Sequence, residues 1–488
     1  MSTSGPAVEP ASLPSIGKSI DGARFSKMHR RFWFLAGLGI MLDGFDFFII
    51  GVANPLIKED LGASAWQTGL VSAAAIVGAI FGAAVLGPLG DKIGRRRIFK
   101  YDLIMFVVFS VASMLAPELW SLIAARFLLG IAIGLDYPIA AAYLAEILPK
   151  QNRGRWLVSA FSLQAVGMLL GAAVGVAVLL LLPYETSWRW MLGFGIVPAL
   201  LIIWLRRSVP ESPRWLAQNG HEAEAIAVTE ALVGHPVRVS KKDREKVEQP
   251  SEGIQALFQP QLFRKDLRRR TIFTSLPWFL MDIATYGVGI FTPTLLAALV
   301  LAGPDASFIA DDIASTESTA LLDIFLVLGF LSAIFLVEKI GRIPLQLIGF
   351  AMMSVGLVVL ATASSLPGAG NENLALVFIG FAVFNFFMNA GPNATTYALP
   401  AEVFPSEVRA AGHGFAAGAA KLGAAIGVFF FPILLDEIGQ AALLFGLAGI
   451  SIIALVVTWV FRIETKGKGL DELSGRRISA LSARPSPP

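Results

Sequence analysis

Six ionisable side chains stand inside stretches that are otherwise apolar. They are Asp43 and Asp46 in LDGFDFF, Arg126 and Asp136 at the ends of RFLLGIAIGLD, Asp282 in WFLMDIATYG and Lys421 in AAKLGAAIG. Charges in such surroundings are costly and mark places where ions are bound or moved. Trp278, Asp282 and Tyr286 are spaced i, i+4, i+8, so an indole, a carboxyl and a phenol share one helix face. That stripe offers a polar site against an aromatic wall. Aromatic packing around a structurally paired Asp is the plainer reading. It is disfavoured because an unneeded carboxylate at the bilayer centre costs about 2.5–3.5 kcal/mol on insertion scales.

The elements that must hold these residues follow from composition. The chain has 488 residues, of which 55% are hydrophobic and 15% charged; mean hydropathy is +0.67. A soluble domain carries roughly 25% charge, so a water-covered surface is excluded. Apolar stretches of about 20 residues recur, long enough to cross roughly 30 Å of hydrocarbon. In lipid each must pair its own backbone groups, so each is a helix. GAAVGVAVLLLL lacks the alternation of a barrel strand. The expected spans are 32–57, 66–89, 99–117, 119–146, 156–182, 188–206, 271–300, 317–337, 343–363, 374–400, 410–435 and 440–461. The fold class is an all-α membrane protein with twelve transmembrane helices in two six-helix bundles. At 1.5 Å per residue, Asp282 lies roughly 16 Å into its span, and Asp43 and Lys421 reach similar depths, so these groups are expected to meet in one central cavity.

Charge placement gives an orientation. Lys92, Arg95, Arg96, Arg97 and Lys100 follow span 2, and Lys150, Arg153 and Arg155 follow span 4. The 207–270 linker and the C-terminal tail are basic too, whereas the opposite side holds Asp60, Glu118, Asp305, Asp311, Asp312, Glu372 and Asp436. The basic side is expected to be cytoplasmic, with both termini inside. The N-terminal residues lack the apolar core and cleavage site of a signal peptide, so the first apolar stretch is expected to remain as an anchor. The chain then divides into a tail 1–31, a bundle 32–206, a linker 207–270, a bundle 271–462 and a tail 463–488. No cysteine is present, which excludes disulfides and thiolate metal sites.

The two halves echo each other. GDKIGRRR after span 2 matches VEKIGRIP after span 8, AEILPKQNRGR after span 4 matches AEVFPSEVRAAG after span 10, and PESPR matches the Glu464–Thr465 stretch. Parallel repetition of two six-span halves places a solute site between the bundles at the midplane. GxLGDKIGRR resembles the signature loop of the major facilitator superfamily. RFLLGIAIG, PESPR and ETKGKGLDEL resemble its sugar-porter-like branch. Within that branch, WFLMDIATYG, LDYPIAAA, Gln164, GPNATTYALPAEVFPSEVRAAGHG and AAKLGA resemble the phosphate:proton symporter family.

That resemblance implies a substrate site of Tyr137, Gln164, Trp278, Asp282, Tyr286, Asn393 and Lys421. It implies a proton path through Asp43, Asp136 and Asp102; Asp46 and Arg126 stand beside it in the sequence. It also implies a cytoplasmic gate built from Asp91, Arg95, Arg96, Glu146, Arg153, Glu211 and Arg214, matched by Glu338, Arg342, Glu402 and Arg409. The departures are Leu135 and Ala140 in LDYPIAA, Ala420 before the lysine, and the DGFD of span 1, which is also the look of aromatic-acid:proton symporters.

The residues can be reasoned through directly. Dihydrogen phosphate can donate an O–H to Asp282, or a protonated Asp282 can donate to phosphate. Lys421 supplies the positive charge as a point charge and not a fork, and the other side chains supply neutral donors. Sulfate would leave Asp282 unpaired. Burial raises an Asp pKa and a nearby cation lowers it, so an Asp exposed alternately to the two sides can load and release a proton. Arg126 lies ten residues before Asp136, about 15 Å along the axis, and is expected to pair with a neighbouring span. His413 is expected to be structural. Glycine-rich stretches such as GMLLG and GAAIG suit close helix contact and not phosphate cradling; no Walker sequence is present.

The expected activity is proton-coupled symport of a small anion, inorganic phosphate first, by alternating access. The expected setting is a multi-pass inner (plasma) membrane protein that is monomeric, with the lipid bilayer, protons and the solute as partners and with no cofactor, metal or nucleic acid. An organic anion, a sugar and a non-transporting sensor are the competing readings. A sugar porter's glutamine-rich span 7 is missing, and a membrane enzyme would need a nucleophile–base pair or metal cluster that the sequence does not offer.

Overall fold

The computed structural model describes residues 13–83, 93–151, 153–244, 260–265, 267–300, 308–366, 373–404, 408–463 and 465. These are helical nearly throughout, with one isolated bridge between Ser15 and Arg238. In the first half, span 1 is Lys27–Leu61, span 2 Ala65–Phe81, span 3 Arg95–Met114 and span 4 Leu119–Ile147. Span 5 runs through Arg153–Phe161 and Leu163–Leu181, and span 6 through Trp188–Phe194 and Ile196–Arg206. In the second half, span 7 is Arg268–Val300, span 8 Phe308–Ile340 and span 9 Arg342–Ser365. Span 10 is Leu374–Ala390 followed by Pro392–Val403. Spans 11 and 12 share the stretch Arg409–Phe461, parted at Gly439, whose φ of 77° breaks the helix.

Among the described residues, nine helices are long and apolar enough to cross a bilayer, and the last is long enough for two spans. Ala65–Phe81 is shorter, at 17 residues, and Arg95–Met114 opens on three arginines. Two spans outrun the sequence expectation. Span 1 starts at Lys27 because Ser26 and His29 form a capping box, and it ends where Gly62 turns left-handed. Span 8 extends from 317–337 to Phe308–Ile340.

The halves meet along three seams. Span 2 packs on span 11, span 5 on span 8, and span 1 on span 7. Gly51 shows how close the third seam is: a side chain there would run into the carbonyl of Ile290. Outside the bundles, the helix Ile16–Gly22 docks on the linker helices Pro213–Gln218 and Glu222–Val233. Ile16, Ile20, Leu216, Ala217, Ala225 and Val237 form a small core of their own there.

Candidate functional site

Spans 1, 3, 4 and 6 bring Asp43, Asp102, Asp136 and Arg206 together, all buried. Asp43, Asp102 and Asp136 line a cavity of about 10 Å³, close to the room one water needs. Arg206 Nη1 donates to Asp136 Oδ1 at 3.0 Å. Its Nε and Nη2 donate to the carbonyls of Leu35 and Ala36, each at 3.0 Å, and its guanidinium lies 4.3 Å over the Phe99 ring. Asp102 Oδ1 accepts from the Leu103 N–H at 2.5 Å, and Asp43 Oδ2 has no hydrogen-bond partner. Three carboxyls thus share one guanidinium. Uncompensated buried charge is costly, and one guanidinium can balance only one carboxylate of the three.

A second buried pair lies next to this cluster. Arg126 Nη1 reaches Asp46 Oδ1 on span 1 at 2.7 Å, and both side chains are shielded from solvent. Arg126 therefore pairs across spans and not with Asp136.

The second half assembles a different set. Lys421 Nζ donates to the Tyr286 hydroxyl at 2.8 Å and sits 4.7 Å from the centre of that ring. Asp282 lies one turn before Tyr286, is 3% exposed, and feels the Lys421 charge beside the Trp278 side chain. Trp278 meets Tyr397 and His413 edge-on, with ring centres 6.2 Å and 6.1 Å away. Tyr397 in turn packs on Phe161 of span 5 at 4.7 Å. Asn393 Nδ2 donates to Asn389 Oδ1 at 2.7 Å. Gln164 is half-buried on span 5, where its backbone comes up against Gly44 of span 1. The Tyr137 side chain lies outside the described residues.

The acids fall into two groups: Asp43, Asp102 and Asp136 with Arg206, and Asp282 with Lys421 and Tyr286. The cause is Arg206, a cation that reading the sequence did not place, which holds the first group within the N-terminal half. Span 1 spans the gap. Phe47, one turn after Asp43, lies 5.7 Å from Lys421 Nζ and edge-on to Tyr286 at 6.2 Å. Asp43 still feels Lys421, as the weakest of four charged neighbours.

On the basic side the repeat is visible atom by atom. Gly94 and Gly341 precede spans 3 and 9 with φ of 98° and 102°. The next residues, Arg95 and Arg342, reach Glu146 and Glu402 at the ends of spans 4 and 10, each at 3.0 Å. Glu211 accepts from the N–H groups of Arg95 at 2.9 Å and Arg96 at 3.1 Å, as expected of an anion at a helix N-terminus. The Thr465 hydroxyl donates to Glu402. Arg214 reaches Asp21 of the docked helix at 3.0 Å. Asp91 and the side chains of Arg153, Glu338 and Arg409 lie outside the described residues.

Reading the sequence missed Arg206, Asp323 and two asparagines of span 10, Asn385 and Asn389. Arg206 opens the pair Arg206–Arg207, which looks like an orientation signal. Asp323, alone in LLDIFLV, carried the same signal as Asp282 and should have been singled out with it.

Comparison with known proteins agrees with this architecture. The family model described as "Sugar (and other) transporter" matches residues 32–475. The chain is 31% identical to the "Putative metabolite transport protein YaaU" of Escherichia coli (strain K12), over 94% of this chain and 98% of that protein. It is 30% identical to the "Probable inorganic phosphate transporter 1-6" of Arabidopsis thaliana, over 94% and 96%. Among solved structures, the partially occluded inward-open xylose transporter XylE from E. coli superposes with a TM-score of 0.72 at 23% identity. That match covers 91% of this chain and 100% of XylE.

Proposed function

The chain belongs to the sugar (and other) transporter family of the major facilitator superfamily, and from that premise we propose that it is a proton-coupled symporter of inorganic phosphate. The observation that carries this reading is the buried Asp282 carboxyl facing Lys421, Tyr286 and Trp278. A carboxyl beside a cation suits a solute that is anionic and still bears protons. Dihydrogen phosphate can give Asp282 a hydrogen bond and take others from Tyr286, Trp278, Asn393, Gln164 and Tyr137, while Lys421 balances its charge. The alignment with a phosphate transporter along nearly the whole chain supports this choice.

Proton coupling falls to the N-terminal half. Asp43, Asp136 and Asp102 hold the transported proton beside Arg206, with the Asp46–Arg126 pair bracing spans 1 and 4. Span 1 reports between the sites, because Asp43 and Phe47 share one of its faces. The pairs Arg95–Glu146 and Arg342–Glu402 close the basic side, which is cytoplasmic, and their rupture accompanies inward opening. The protein works as a monomer in the inner membrane with both termini inside.

One observation favours a second reading. The rings of Trp278, Tyr397, His413 and Phe161 form an aromatic box beside Asp282, which suits an aromatic or other organic carboxylate. Uptake by purified protein in liposomes under an imposed proton gradient separates the two. Radiolabelled phosphate is expected to accumulate and to leave when an uncoupler is added. Accumulation of benzoate or a hexose, with none of phosphate, would overturn the substrate.

A further inference from the structure

Span 8 carries a polar column that none of these assignments uses. Asp312, Thr316, Thr319 and Asp323 follow one another at steps of four, three and four residues, so they share a helix face. All four are buried. Eleven residues rise about 16 Å, so the column runs from the end of span 8 away from the basic loops to the middle of the bilayer. Asp312 is 3% exposed and Asp323 2%. The Oδ2 atoms of both, and Thr316 Oγ1, have no hydrogen-bond partner.

Among the described residues, no cation pairs with this column. Span 8 packs on spans 1, 5, 7, 9 and 10. Span 5 brings Gly175 to Thr316, and span 10 brings amides. The other ionisable groups nearby are Asp43, Asp46, Lys58, Glu59 and Asp60 on span 1, Asp282 and Tyr286 on span 7, Arg342 on span 9, and Asp311 and Glu317 on span 8 itself; none of them forms an ion pair with Asp312 or Asp323. A bare carboxylate in that setting is not tolerated, so each must hold a proton or a cation. The oxygens climb the helix by roughly 4.5–6 Å per step. That is too open to wrap a metal ion, which needs several oxygens converging at about 2.0–2.6 Å.

The deep end of the column joins the candidate solute site. Asn385 Nδ2 donates to the carbonyl of Leu322, next to Asp323, at 3.4 Å. Asn389 Nδ2 donates to the Asn385 carbonyl at 2.8 Å, and Asn393 donates to Asn389 at 2.7 Å. Spans 8 and 10 come this close because residue 329 is glycine: a Cβ there would stand 3.0 Å from Asn389 Cβ.

We propose that Asp323 is a second protonation site, in the C-terminal half, loaded along Asp312, Thr316 and Thr319 and linked to the solute site through the amides of Asn385, Asn389 and Asn393. This rests on the proton-coupled reading above and adds one proton to it. Each step passes a single proton from one oxygen to the next, through a hydroxyl or a water, with no redox change. The column opens on the face that is external in the proposed orientation, so the proton enters from outside while the solute site is reached from the same side.

The test uses the full chain in liposomes and dicyclohexylcarbodiimide, which adds to protonated carboxyls in apolar surroundings. Mass spectrometry of the peptide carrying Asp323 is expected to show the adduct at neutral pH, to lose it as the medium is made alkaline, and to lose it in Asp323→Asn. In the same variant the proton-to-solute uptake ratio is expected to fall, whereas Asp323→Glu keeps the wild-type ratio; monodisperse elution of both variants shows that they fold. Absence of the adduct at every pH, protection of Asp323 by sodium instead of alkali, or an unchanged ratio in Asp323→Asn would each overturn the proposal. If the wild type moves no anion with protons, the symport reading fails on that result alone. The labelling still decides whether Asp323 holds a proton, because it requires no transported solute.

Discussion

The two halves of the molecule share a frame and differ in what they bury. Their basic ends match: a glycine with φ near 100°, an arginine after it, and a glutamate at the end of the following span 3.0 Å from that arginine. Their interiors do not match. The N-terminal half buries formal charge, with Asp43, Asp102 and Asp136 on Arg206 and Asp46 on Arg126. The C-terminal half buries amides, hydroxyls and two carboxyls of span 8, Asp312 and Asp323, with no buried arginine beside them among the described residues. Gln346 bridges Thr395 and Thr458 at 3.0 Å each, and the asparagines of span 10 form a ladder. Asp282 and Lys421 stand at the interface, where Lys421 reaches Phe47 of the other half. Repetition keeps the chemistry of the basic ends, while the interiors diverge: the first half buries carboxyls on arginines, and the second buries a network of neutral donors beside two carboxyls without a cation.

Four tests by substitution would sharpen or break this contrast. The largest effect is expected at Arg206. Arg206→Met leaves Asp136 without its cation, and breaking a buried pair from one side costs about 3–5 kcal/mol. The melting temperature of the purified protein should fall accordingly. Adding Asp136→Leu should restore much of the loss, and no recovery would mean that Arg206 acts through its carbonyl contacts alone. Next is Asp282→Asn. Losing a charge-assisted hydrogen bond of about 1.5–3 kcal/mol should weaken phosphate binding about 10- to 100-fold, as read by calorimetry on the detergent-solubilised protein. Unaltered binding would remove Asp282 from the solute site.

Smaller effects test the shared frame. Gly94→Ala and Gly341→Ala each force a side chain into a backbone region that costs about 1–3 kcal/mol. Gly94 should be the worse, because its added methyl would also strike the Glu211 carboxylate; equal losses would argue against the Glu211 cap as a feature that separates the halves. Smallest is Gln346→Leu, which removes two neutral hydrogen bonds at about 0.5–1.5 kcal/mol apiece. It is expected to lower stability while leaving proton coupling intact, and loss of coupling would show that the amide network does more than hold spans 9, 10 and 12 together.

The helices and their order were legible in the sequence because hydrophobic length is a property of each span by itself. The repeat was legible too, since KIGR and AEx₂P recur as strings. Individual side chains were legible too: Asp282, Tyr286 and Lys421 stood out by type and spacing, and Lys421 does donate to Tyr286. Partnerships were not. Arg206 lies 70 residues from Asp136, and nothing local to LRRSVP says that one arginine turns inward and its neighbour does not. Ile16–Gly22 follows a Pro- and Ser-rich stretch and is too short for its periodicity to announce a helix; it is ordered by packing on a linker two hundred residues away. Such pairings are tertiary facts and require coordinates.

The division of labour can be tested most directly in liposomes by measuring phosphate counterflow and proton-driven accumulation on the same Asp43→Asn protein. Counterflow needs only the solute site, whereas accumulation needs the proton site as well. Counterflow at the wild-type rate with accumulation abolished is the expected result. Loss of both together, or retention of accumulation, would contradict the assignment of proton coupling to Asp43 and of solute binding to the Asp282 site.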